Sequence, residues 1–151
     1  DMKGFGDIGP IICVVSNVGQ EKLFYQDILG LELLADNFFE GKDVERMIGL
    51  PPGAGLDVSI WGREGEREAQ LELVEYTGVD GDTLFSLATL PNCGLHQVCF
   101  ETPDASAIAA KAKSSNNIVI HRGVLRTLAG SGEYWSIYTP AGMRIDVMTS
   151  S

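Results

Sequence analysis

The chain has 151 residues, 44% hydrophobic and 21% charged, the balance of one globular domain or two very small ones sharing a core. Lys and Arg total 11 against 21 Asp and Glu, a formal charge of -10, which argues against the basic face that a nucleic-acid partner needs. That charge favours a neutral or cationic small ligand over an anionic one, although a local cleft can reverse the global sign.

No window holds the run of about 18 apolar residues that would predict a membrane span. The opening shows no signal-peptide pattern. Cys13, Cys93 and Cys99 show no CxxC spacing, and their odd count and low density predict reduced thiols in a cytoplasmic setting.

"IGPIICVVSNV", Ile8 to Val18, is rich in β-branched residues and predicts a strand that begins beside a proline. In "VGQEKLFYQDILG", Leu23, Phe24, Ile28 and Leu29 recur at helical spacing and Gly30 supplies a stop. "LELLADNFF" predicts a second strand. "GKDVERMIGLPPGAG" reads as a polar insertion with a short helical turn. "LDVSIWG" and "AQLELVEY" predict two more strands around a charged hairpin loop, "REGERE".

After the connection "TGVDGDTLFSLATLPNCG" the order begins again. "LHQVCFET" predicts a strand, "PDASAIAAKAKSSNN" an Ala-rich helix, and "IVIHRGVL" a strand. "LAGSGE" reads as a turn, "EYWSIYTP" as a strand, "AG" as a hairpin turn and "MRIDVM" as the last strand. The element order is β-α-β-β-β twice, an α+β architecture with an internal repeat. The last strands of the two halves each carry a carboxylate, Glu72 and Asp146.

Three stretches resemble the vicinal oxygen chelate superfamily, which includes glyoxalase I, extradiol dioxygenases and bleomycin-resistance proteins. "VVSNVGQEKLFYQDILGLELL" is similar to the opening of such proteins and "SIYTPAGMRIDV" to their close. "GLHQVCFETPDASA" resembles the start of a second module. The resemblance implies one domain over residues 1–151, with module one at about 6–77, a linker at about 78–92 and module two at about 93–150. It implies two tandem βαβββ modules whose mixed sheets curl into a cup, and a homodimer. The fold hosts many reactions and names none.

Four strand positions usually hold metal ligands in that family. Here they fall on Glu72, Asp146, Gln97 and Pro10. Proline offers no ligand atom, and Gln97 is a weak, neutral ligand. His96 would be a better one, but it turns inward only if the register shifts by one residue. A complete transition-metal site is therefore not expected. A loose oxygen-rich site from Glu72, Gln97 and Asp146 stays open, for a weakly bound divalent cation such as Mg²⁺ or Ca²⁺.

Alternation places residues two apart on one face. With Glu72 inward, so are Gln70, Val74 and Tyr76; with Asp146 inward, so are Arg144 and Met148. Ile12, Val14, Cys99 and Glu101 join them. The opposite faces carry Leu71, Leu73, Ile145, Val147, Cys13 and Val15, as expected beneath helices. An apolar face with a few polar groups is what a small-molecule site looks like.

Burial and like charge would raise a carboxylate pKa there, making Glu72 or Asp146 a candidate general base. Gln97, Tyr76 or Arg144 could steady an oxyanion. Arg144 could instead neutralise Asp146. His121 reads as a surface residue or one at the mouth of the cup. Trp61, Tyr134 and Trp135 are candidates for stacking on a planar ligand, or core aromatics.

Two readings stand side by side, ahead of a third, a structural or regulatory domain without a ligand. One is a glyoxalase-like enzyme moving a proton on a carbonyl substrate with Glu72 and Asp146, its metal site degraded. The other is a bleomycin-resistance-type protein that sequesters a planar or cationic compound without turnover.

Overall fold

In the computed structural model, the described residues are 9–65, 70–127 and 130–149. The chain divides into two compact units, on either side of Asp82 and Thr83. Each unit is a βαβββ module built on a four-stranded mixed sheet.

The first unit runs β1 (Ile11–Val14), α1 (Val18–Leu23), β2 (Glu32–Glu40), α2 (Lys42–Ile48), β3 (Gly55–Gly62) and β4 (Leu71–Thr77). Its sheet order is β1-β4-β3-β2, with β1 parallel to β4 and the other pairs antiparallel. The Asn17 side chain accepts from the Gln20 amide at 2.9 Å and so starts α1. Glu75, on β4, accepts from the Val18 amide at 2.8 Å, which places a carboxylate at the positive end of the helix.

The helix continues as a π-turn over Phe24–Leu29 and stops at Gly30, whose φ of 69° is left-handed. Phe24, Tyr25 and Ile28 are buried with Cys13, Val15, Trp61, Leu71 and Leu73. Trp61 lies against Tyr25, ring centroids 6.3 Å apart, and donates to Ser59 Oγ at 2.9 Å. It is a core residue of the α1 side.

The second unit runs β5 (Val98–Thr102), α3 (Ala105–Ser114), β6 (Val119–Thr127), β7 (Gly130–Tyr138) and β8 (Arg144–Thr149), in sheet order β5-β8-β7-β6. Again the first strand pairs parallel to the last. Asp104 caps α3 by accepting from the Ala107 amide at 2.9 Å. Ala105, Ala109 and Ala112 are buried, and their small side chains let the helix lie close to the sheet. The Ala105 amide donates to Thr149 Oγ1 at 3.2 Å, which fixes α3 on the face carrying Ile145, Val147 and Ile137.

Three expectations change. The strand read from Ile8 to Val18 is confined, among the described residues, to Ile11–Val14. The insertion read as polar is an amphipathic helix: Val44, Ile48 and Leu50 pack on Leu56, Val58 and Val74. Its apolar residues were obscured by the charges between them. "LAGSGE" is a strand from Gly130 onward, because β7 pairs with β6 as far as Thr127; Leu128 and Ala129, like part of "REGERE", lie outside the described residues. No described helix is long and apolar enough to cross a membrane.

Candidate functional site

Each sheet has a face turned away from α1 or α3. In the first unit that face carries Ile12, Val14, Ile60, Glu72, Val74 and Tyr76, since Ile12 is in register with Glu72 and Ile60 with Glu72 from the other side. Val74 and Tyr76, expected to line an open wall, are packed beneath α2: Val74 belongs to the cluster that Val44 and Ile48 cover. Glu72 is half-buried, and among the described residues no hydrogen bond or ion pair engages its carboxylate. Its face neighbours Ile12 and Val14 are exposed.

In the second unit the corresponding face is polar. Ser136 stands in register with Asp146, and Asp146 with Cys99, so these three cross the sheet in one row. Tyr138 pairs with Arg144 in the row on one side, and Tyr134 with Met148 and Glu101 on the other.

Asp146 is fully buried, as is Ser136. Arg144 donates to both oxygens of Asp146, Nε to Oδ1 at 2.9 Å and Nη2 to Oδ2 at 2.8 Å. Tyr134 donates its hydroxyl to Oδ2 at 2.6 Å. Gln97 Nε2 donates to the Tyr134 oxygen at 3.2 Å. A chain of hydrogen bonds therefore runs from Gln97 through Tyr134 and Asp146 to Arg144.

The electrostatics follow from this packing. The Tyr134 phenol is pushed well above the ordinary tyrosine range, first by burial and then by its bond to the Asp146 carboxylate. The Cys99 thiol is also pushed up, by burial and then by Asp146. The Arg144 guanidinium is held more firmly protonated by its hydrogen bonds to Asp146.

Gln97 is the side chain beside Tyr134, and Met148 lies buried on the same face. His96 is half-buried and its Nδ1 has no partner among the described residues. His121 is not at a mouth: it stacks on Trp135 with centroids 4.2 Å apart, and its Nε2 lies 2.8 Å from Glu133 Oε2. Trp135 is in register with Val147, so both rings belong to the α3 side.

Sequence reasoning missed Arg122 and Ser136. Arg122 is the extra residue of a β-bulge between His121 and Gly123, and its Nε donates to Ser136 Oγ at 2.9 Å. The alternation in "EYWSIY" groups Ser136 with Tyr134 and Tyr138. The register that sets Ser136 beside Asp146 needs the hairpin.

The chain matches the Glyoxalase/Bleomycin resistance protein/Dioxygenase superfamily over residues 7–147 and belongs to it. Among solved structures it is similar to a glyoxalase family protein from Bacillus cereus, at 16% identity and a TM-score of 0.82, over 99% of each chain. It is also similar to TnmS3, an antibiotic binding protein from Streptomyces, at 21% identity and a TM-score of 0.60, over 98% of each chain. A glyoxalase I mutant from Zea mays matches at 17% identity and a TM-score of 0.63, over 94% of this chain and 44% of that one. No curated protein matches in sequence.

The superfamily usually binds a divalent metal ion. The donor set here does not fit one. Both oxygens of Asp146 already accept from a guanidinium, so a positive charge is in place where a metal ion would bring its own. The position in register with Glu72 is Ile12, which has no ligand atom, and that opposite Asp146 is Cys99, a thiol ill matched to a hard cation and pushed away from the thiolate by burial and by Asp146. Among the described residues no three His, Cys, Asp or Glu side chains form a metal-binding group.

Proposed function

We propose that this protein binds a small organic molecule without turning it over, a sequestering role of the type that the name of its Streptomyces neighbour describes. One observation carries this reading: the Asp146 carboxylate is fully buried, with both oxygens held by Arg144 and one also by Tyr134. A general base must reach the proton it takes, and a carboxylate with no exposed atom does not. Asp146 instead orients Tyr134 and Arg144, which with Gln97, Cys99 and Met148 present the ligand-facing surface of the second unit.

Glu72 favours a second reading, glyoxalase-like proton transfer on a carbonyl substrate. Its half-buried carboxylate has no partner among the described residues and sits in register with Ile12 and Ile60, so its lone pairs are free to meet a substrate. The homodimer implied by family resemblance is part of both readings. Leu84, Leu87, Leu90 and Leu95, 60–88% exposed between the units' sheets in sequence, support it. A cytoplasmic location rests on the free thiols of Cys13, Cys93 and Cys99.

The test is a thermal-shift screen of aromatic drugs, carbonyl compounds and thiol conjugates, followed by mass spectrometry of each stabilising compound after long incubation. Recovery of the compound unchanged is the expected result. Conversion that disappears in Glu72→Gln would replace the binding reading with the enzymatic one.

A further inference from the structure

The bulge in β6 sets Arg122 beside the most buried polar row of the second sheet. Its Nε is spent on Ser136, and the four N–H bonds of its two terminal nitrogens have no acceptor among the described residues. Ser136 is the register partner of Asp146, so the anchors of Arg122 and Arg144 stand on adjacent strands, about 4.8 Å apart across the ladder.

Both anchors, Ser136 and Asp146, are fully buried, whereas Arg122 is exposed and the Arg144 side chain is 21% exposed. Arg144 uses Nε and one N–H of Nη2 on Asp146, which leaves Nη1 and the second N–H of Nη2. Two guanidinium groups are thus held from below by fixed acceptors, with donors to spare.

Asp146 cancels one of the two positive charges. Glu101 is the other carboxylate on this face. It is in register with Met148, so the Asp146 row separates it from the row of Arg144. Arg122 has no carboxylate partner among the described residues. Arg122 reaches Ser136 from the other side of that row, but it stands on β6 and Glu101 on β5, the two opposite edge strands of the sheet. The local sign around the Ser136–Asp146 pair is therefore positive, against a chain charge of -10.

We propose that Arg122 and Arg144 form an oxyanion subsite that receives the carboxylate of an organic acid, whose apolar body lies over Met148 and the Tyr134 ring. A guanidinium fork matches the two oxygens of a carboxylate. Two cations anchored on register partners repel each other, and an anion that takes bonds from both relieves that repulsion. The proposal rests on the small-molecule reading above and departs from the preference for a neutral or cationic ligand that the chain's acidity suggested.

The experiment measures binding of 2-naphthoate, 2-naphthamide and 2-naphthylmethylammonium to the whole chain by calorimetry, for wild type, Arg122→Gln and Arg122→Lys. The expected result is 2-naphthoate bound at least tenfold more tightly than the other two. Arg122→Gln should remove most of that preference by weakening the acid far more than the amide, and Arg122→Lys should keep part of it. Equal affinity for the acid and the amide, or a preference untouched by Arg122→Gln, overturns the oxyanion subsite while leaving small-molecule binding intact. Tighter binding of the ammonium compound does the same. Binding of none of the three overturns the subsite and counts against the binding reading as well.

Discussion

Arg144 and Asp146 are two residues apart on one face of β8, and the guanidinium reaches along the strand and grips both carboxylate oxygens at 2.9 and 2.8 Å. The carboxylate is fully buried and the guanidinium is mostly so. Such a pair adds little net stability over an apolar replacement, but breaking it leaves a charge stranded in the interior.

Arg144→Met should therefore destabilise the protein by about 3 kcal/mol, the usual cost of removing one partner of a buried pair. Arg144→Met combined with Asp146→Leu should recover much of that loss, because no charge is left behind. Urea unfolding of the two variants against wild type checks both statements. A single variant as stable as wild type would contradict the buried pairing.

Burial and the Asp146 charge together hold the Cys99 thiol protonated. Asp146→Asn should lower the thiol pKa, by removing the negative charge and leaving Arg144 unneutralised. Iodoacetamide should then modify Cys99 several-fold faster at pH 8, as read by peptide mass spectrometry. The pH profile of the rate should move to lower pH.

The Tyr134 phenol is raised in the folded state by burial and by its bond to Asp146. A group whose folded pKa lies above its unfolded value stabilises fully below the unfolded value, near 10 for tyrosine, and loses that contribution as pH rises. The stability gap between wild type and Tyr134→Phe should be flat from about pH 7 to 9 and shrink at higher pH. Denaturant titrations across that range measure it. A gap that widened with pH would have the wrong sign.

Gly132 lies on β7 where a Cβ would run into the Thr149 backbone carbonyl. Gly132→Ala should cost about 1–3 kcal/mol, the range for overpacking, since backbone must move. Gly65, in a surface turn with nothing near its Cβ position, provides the contrast in space. Its φ of 83° leaves conformational strain as the cost there. Thermal unfolding of Gly132→Ala should show a lower midpoint.

The repeated βαβββ order was legible because strand alternation and helix spacing are local patterns. Leu71, Leu73, Ile145 and Val147 announced the helix-covered faces, and all four are buried. What lay beyond reach depended on partners distant in sequence. The covering of Val74 by Val44 and Ile48 needs the fold of the insertion. The network from Gln97 to Arg144 needs the register between β7 and β8. Arg122 needs a bulge, and a bulge leaves no periodic trace in sequence.

The parallel pairing of β1 with β4, and of β5 with β8, bears on how the chain folds. Among the described residues β1 has no sheet neighbour except β4, and β5 none except β8. During synthesis the opening strand of each unit must wait, its ladder incomplete, until the closing strand has emerged. Ile11 waits for Leu71. Closing so long a loop before any reward from pairing favours slow, late docking of the first strand. The β2–β3–β4 and β6–β7–β8 meanders, joined by nearer contacts, are the parts that can form first.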